Sequence, residues 1–177
     1  MADEVVRATT TTNAPVEDVF DALADPTKHP AIDGTGWVHE AIDSKPLTST
    51  GQVFRITMYH ANHPDGYYEM ANRVETFERP KAISWQPGQE DGDGNLRFGG
   101  WIWRYDLVST GPSQTRVTLT YDWSAVPESR RAHLPPLPPF PPEHLDNSLA
   151  HLAQLVTRRP SSQARACADG TGFSIHR

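Results

Sequence analysis

The chain has 177 residues, 37% of them hydrophobic, and a formal charge of −6 at pH 7. That length suits one domain with a sizeable core, and the acidic balance argues against a general nucleic-acid binder or a ligand for anionic membranes, which need a basic stripe. One cysteine, Cys167, excludes an internal disulfide, and no apolar run reaches the ~20 residues of a membrane span.

The opening "MADEVVRATTTTN" is polar and has no apolar stretch like that of a signal peptide, so a cytoplasmic location is expected. Residues 4–12 are rich in β-branched side chains and read as a strand. Next, Val16, Val19, Phe20 and Leu23 fall at i, i+3, i+4 and i+7, one face of a helix that Pro15 starts and Pro26 stops. A "TKHPAID" segment and a Gly-rich turn lead into strand after strand, expected near 37–43, 52–60, 67–79, 82–86, 97–109 and 115–125. Turn signals such as "HPDG", "ERPK" and "QEDGDGN" separate them. Six prolines crowd residues 134–142, and a helix at about 142–157 follows, with Leu145, Leu149, Leu152 and Val156 as its apolar stripe. Residues 158–177 have no period and are expected to be a disordered tail after a single domain, 1–157.

Strand, helix, antiparallel strands and a last helix make an α+β order in which a curved sheet grips one long helix. The stretches "TTTTNAPVEDVFDALADP", "RVETFERPKAISWQPG" and "SLAHLAQLV", in that order and spacing, resemble the helix-grip superfamily of START, Bet v 1 and polyketide cyclase/dehydrase proteins (SRPBCC), across about residues 3–157. The resemblance implies a curved seven-stranded antiparallel sheet wrapped around a long C-terminal helix, with short helices after the first strand and a hydrophobic cavity inside. It also implies binding of lipids, sterols, polyketides or plant hormones, with a minority of members being enzymes. The long proline loop and the tail depart from that pattern.

Charged residues set the phase of each strand, because they belong on the wet face. Arg104 and Asp106 point out, which leaves Trp101, Trp103, Tyr105 and Leu107 inward. Arg116 and Asp122 do the same for Val117, Leu119, Tyr121 and Trp123. Glu69, Arg73 and Glu75 turn Tyr68, Met70, Asn72 and Val74 inward, and Arg55 turns Phe54, Ile56, Met58 and His60 inward. Ile83 and Trp85 share the inner parity of their strand. Four of the five tryptophans and three tyrosines thus face the helix. Large rings with a polar rim suit an apolar pocket with a few directional groups; the plain alternative is a bulky aromatic core. With Phe140 and Leu149 added from the far side, these residues form the expected ligand-binding set: Met58, His60, Tyr68, Asn72, Trp85, Trp101, Trp103, Tyr105, Tyr121 and Trp123.

Asn72 on an apolar face needs a partner, because a bare buried amide costs ~1–3 kcal/mol. His60 either anchors a ligand or is an exposed strand-end residue. Metal binding finds no support: His60 and His63 lack a third ligand, and His144 and His151 lie about 10 Å apart along their helix. No motif demands a cofactor, and neither a G-x-S-x-G elbow nor a phosphate-binding loop is present. Any catalysis would be general acid–base chemistry, with His60, Tyr121 and Asp33 as candidates.

The segment "LPPLPPFPP" contains P-x-x-P spacings that a polyproline-binding partner could read. Yet Leu134, Leu137 and Phe140 recur every three residues and give an extended segment one apolar edge, which favours a strap lying on the domain over 133–142. Residues 134–142 are expected to be extended until Pro142 or Glu143 opens the helix. The leading expectation is a protein that binds a small hydrophobic, aromatic, polyketide- or lipid-like molecule. A polyketide cyclase or dehydratase comes second and a proline-based interaction module last; a homodimer is left open.

Overall fold

The computed structural model describes residues 3–157. Cys167 and the expected tail, 158–177, lie outside the described residues. Eight strands form: β1 (Val5–Thr12), β2 (Val38–Ala41), β3 (Val53–Tyr59), β4 (Tyr67–Glu78), β5 (Ala82–Glu90), β6 (Leu96–Phe98), β7 (Ile102–Gly111) and β8 (Gln114–Asp122). Among the described residues four α-helices join them, α1 (Val16–Leu23), α2 (His29–Ile32), α3 (Glu128–Arg131) and α4 (His144–Thr157), with a short 3-10 helix at Pro26–Lys28. Seven strands run antiparallel in the order β1-β8-β7-β5-β4-β3-β2, and the short β6 pairs with the far end of β5. The result is a curled α+β half-barrel that grips α4.

The charge phasing explains which face curls inward. Arg104 donates to Asp106 at 2.9 Å, Arg73 to Glu75 at 2.9 Å and Arg55 to Glu90 at 2.7 Å, all on half-exposed side chains of the outer face. Opposite them, Phe54, Ile56, Val74, Ile83, Leu107, Val117 and Leu119 are buried. One bulge interrupts the alternation. Between Val74 and Thr76 the register of β4 against β5 shifts by one residue, so Val74 and Phe77 both turn inward although their spacing is odd. Phe77 then meets the edge of Phe20 from α1 at 5.2 Å.

The strand expected at 97–109 is in fact two. Gly99 and Gly100 break it, with Gly100 at φ +101°, a conformation that side chains other than glycine rarely adopt. A Cβ at Gly100 would also stand 2.6 Å from the Ala125 carbonyl oxygen. β5, expected over 82–86, runs on to Glu90 because β6 supplies it with a second partner.

α1 buries Val19, Phe20 and Leu23, and α4 buries Leu145, Leu149, Leu152 and Val156. The Pro-rich segment corrects one expectation: it bends at Leu134 and again over Pro136–Pro138 instead of running straight. Its apolar edge still lies on the domain. Leu134 and Leu137 are half-buried against the core and Phe140 is buried. Pro142 and Glu143 form a turn, and α4 begins at His144.

Candidate functional site

Between the inner face of the sheet, α2, the first turns of α4 and the strap lies a cavity of about 410 Å³. That is within the size range of small-molecule sites. Each wall follows from a local rule. β3 contributes Ile56 and Met58, β4 contributes Tyr68, Met70 and Asn72, and β5 contributes Trp85, every second residue in each case. β7 adds Trp103 and Tyr105, β8 adds Leu119 and Tyr121, and Trp101 lines the cavity from the glycine break. The strap closes the opposite side with Leu134, Leu137 and Phe140, three residues apart. The exposed members, Asn62, Pro135 and Pro139, form the rim.

The rings stack into one connected wall. Trp103 lies 4.5 Å from Tyr121 and 5.5 Å from Phe140, and Tyr121 meets Phe140 at 5.0 Å. On the other side Trp85 stacks on His29 at 4.9 Å and approaches Tyr105 at 5.8 Å. Burial pushes the Tyr105 and Tyr121 hydroxyls well above the ordinary phenol range, and that of Tyr68 upward as well. They stay protonated and are donors. None of the three donates a hydrogen bond to another described residue.

Two residues placed in the pocket by sequence lie in the core instead. Trp123 follows the last residue of β8 and packs 5.5 Å from Tyr121 among buried side chains, outside the cavity lining. Leu149 belongs to the α4 stripe that sits directly on the sheet. The cavity is lined from α4 by the neighbouring stripe, His144 and Ser148, four residues apart.

The three acid–base candidates differ in circumstance. Asp33 lines the cavity, but its carboxylate accepts from the Thr35 amide at 3.1 Å, the Thr35 hydroxyl at 2.9 Å and the Val38 amide at 3.1 Å. It fastens the turn between α2 and β2. His60 stands next to the rim, its ring 4.8 Å from Trp37 and its Nδ1 accepting from the Asn62 amide at 3.1 Å. Tyr121 is buried within the aromatic wall. Asn72 is buried and lines the cavity, with one long bond from Nδ2 to the Phe54 carbonyl at 3.5 Å. Among the described residues no three His, Cys, Asp or Glu side chains gather to hold a metal, and no helix is long and apolar enough to cross a membrane.

Sequence reading missed two histidines. His29 is buried, and one ring nitrogen, Nε2, lies 2.8 Å from the Leu23 carbonyl, to which it donates. His144, in the first turn of α4, is buried edge-on to Trp103 at 5.4 Å and to Phe140 at 4.8 Å. Desolvation lowers the pKa of both. For His144 a signal existed: its position one residue before Leu145 places it beside the apolar stripe. For His29 there was none, because "TKHPAID" has no period.

The α2–β2 turn is locked to α4 by close approach. The Gly34 amide donates to the Ser148 hydroxyl at 2.9 Å, and a Cβ on Gly34 would stand 2.5 Å from the His144 carbonyl oxygen. Nδ1 of His151 lies 3.0 Å from the Asp33 carbonyl and donates to it. One helix face thus holds the turn that carries Asp33 and Thr35 to the cavity.

Comparison with known proteins matches this frame. A solution structure from Arthrobacter aurescens superposes with a TM-score of 0.62 at 14% identity, covering 95% of this chain and 94% of that one. Protein Ms6760 of Mycobacterium smegmatis gives 0.58 at 18% identity, over 87% of this chain and 91% of the other. The di-domain ARO/CYC StfQ from the steffimycin biosynthetic pathway gives 0.52 at 13% identity, over 86% of this chain and 44% of StfQ. Identities this low speak for the fold alone. The protein Rv0088 of Mycobacterium tuberculosis is 29% identical over 112 residues, 63% of this chain and 44% of that protein. The chain therefore spans less than half the length of the curated relatives it matches. Residues 13–156 match the family described as activator of Hsp90 ATPase homolog 1-like protein. With that match covering most of the chain and the sheet closed around α4, the chain belongs to the activator of Hsp90 ATPase homolog 1-like family, within the helix-grip SRPBCC superfamily.

Proposed function

We propose that the protein binds a small, flat, largely apolar molecule, aromatic or polyketide-like, in the cavity between the sheet and α4. The observation that carries this reading is the continuous ring wall of Trp103, Tyr121 and Phe140 around about 410 Å³ of space. A core built only for stability is filled by aliphatic side chains without polar rims. Here large rings leave room beside them, and their faces suit a planar guest. Met58, His60, Tyr68, Asn72, Trp85, Trp101 and Tyr105 complete the set that would contact it.

Binding ranks above turnover because Asp33 is already committed to the turn that it fastens. An acid–base enzyme of cyclase or dehydratase type is the second reading, carried by the Tyr121 hydroxyl, which stays protonated and free to donate. The proline segment is assigned to the domain itself, since Leu137 and Phe140 turn inward.

Titration with 2-isopropylnaphthalene, followed by tryptophan fluorescence, tests the reading. Saturable quenching at one site per chain is expected, and Trp103→Ala should weaken it about tenfold, the loss of roughly one ring-stacking contact and its buried area. Absence of saturable binding, or equal affinity in Trp103→Ala, would sink it. Recovery of the guest unchanged after long incubation favours a binder; accumulation of a product favours the enzyme.

A further inference from the structure

His144 is 6% exposed, lines the cavity and makes no side-chain hydrogen bond to any described residue. Its Nδ1 is sealed from solvent and has no partner. Its Nε2 has no hydrogen bond to a described residue either and is not sealed in this way, which leaves it as the ring nitrogen that a guest in the cavity can reach. A neutral imidazole carries one N–H and one lone pair. An orphaned buried N–H is rarer than an acceptor left without a donor, so the lone pair is assigned to the sealed Nδ1 and the proton to Nε2. Desolvation keeps the ring neutral, and the Asp33 charge offsets only part of that effect.

The consequence is a directional donor in an otherwise aromatic wall. Trp103 and Phe140 hold the imidazole edge-on at 5.4 and 4.8 Å, which fixes its plane. The Gly34–Ser148 hydrogen bond and the close packing of Gly34 against the His144 carbonyl fix the backbone that carries it. A buried donor with a fixed direction and no acceptor among the described residues has its acceptor supplied by the guest.

We propose that His144 anchors the ligand through an Nε2–H bond to a carbonyl-type acceptor, so that the cavity selects aromatic ketones over their hydrocarbon counterparts. The inference rests on the cavity-binding reading above and adds the chemical class of the guest. It also gives His144 a role other than general base, since the lone pair that a base needs lies on the sealed nitrogen.

The test compares two probes of nearly equal shape, 2-acetylnaphthalene, with a ketone acceptor, and 2-isopropylnaphthalene, with none. The native protein should bind the ketone about threefold to tenfold more tightly, the range of one net hydrogen bond. His144→Phe should erase that preference, bringing the ratio of the two affinities to about one whatever it does to the affinity for each probe. Long-range proton–nitrogen NMR of the native protein supplies a second readout that needs no variant. His144 should show the Nε2–H tautomer, and its Nε2 signal should move with the ketone and stay with the hydrocarbon. Equal binding of the two probes by native protein overturns the His144 assignment and leaves the cavity reading standing. So does an Nδ1–H tautomer that the ketone leaves unchanged. Binding of neither probe overturns the cavity reading and the anchor with it.

Discussion

Replacing Phe140 by alanine should show what holds the strap in place. The ring is buried and touches three others, Trp103, Tyr121 and His144, at 5.5, 5.0 and 4.8 Å. Removing a phenylalanine from a closed core costs ~3–5 kcal/mol, a sum of lost transfer energy and a new void. Phe140 borders a cavity that already exists, so truncation enlarges that space and the void contribution shrinks. The transfer part, ~1.5–3 kcal/mol, remains, and the ring contacts add roughly 0.5 kcal/mol each at the low end of their range. A loss of about 3–4.5 kcal/mol is expected. Urea unfolding monitored by circular dichroism should show a lower midpoint with an unchanged slope. Glu143→Ala, three residues on and exposed, serves as the control and should move stability by less than ~0.5 kcal/mol. A Phe140→Ala protein as stable as that control would refute the claim that the strap is docked through this ring.

Gly34→Ala should destabilise by ~2–4 kcal/mol, because its Cβ would sit 2.5 Å from the His144 carbonyl and 2.8 Å from the Ser148 amide, backbone atoms that cannot rotate away; a thermal midpoint within two degrees of native would contradict this. Asp33→Ala should lose about 1–2 kcal/mol by releasing the Thr35 and Val38 bonds, whereas a purely catalytic Asp33 would leave the melting curve unmoved. Acid should weaken the fold through His29 and His144, whose folded pKa values lie below the ordinary 6.5. The unfolded chain then binds more protons below that pH, so stability falls as pH drops through the window between the unfolded and the lower folded pKa. A urea midpoint that is flat between pH 7.5 and 5, or one that rises, would count against burial of the two rings.

Much of the fold was legible because charge and apolar residues alternate cleanly along β3, β7 and β8, where Arg55, Arg104, Asp106 and Arg116 name the wet face. Where backbone geometry broke the period, sequence reading failed. The bulge at Val74/Thr76 brings in Phe77, and the Gly99–Gly100 break divides one expected strand into β6 and β7. Parity also distinguishes inside from outside but not cavity from core. Trp123 and Leu149 face inward and are filled in, while Trp103 and Tyr121 face inward and border open space. That difference depends on which inward positions α4 covers directly, which no local pattern encodes. His29 and His144 became visible only when α2 and α4 were packed, since each matters through rings from distant strands.

The central claim is that the space between sheet and helix receives an apolar guest. Intermolecular NOEs between 2-isopropylnaphthalene and the protein test it most directly, because they report position as well as binding. The account predicts contacts from the naphthalene protons to the methyl groups of Ile56, Met58, Leu119 and Leu134, on opposing walls of the cavity. Contacts confined to the exposed Tyr59 and Tyr67 on the outside of β3 and β4, with none to those methyl groups, would contradict it.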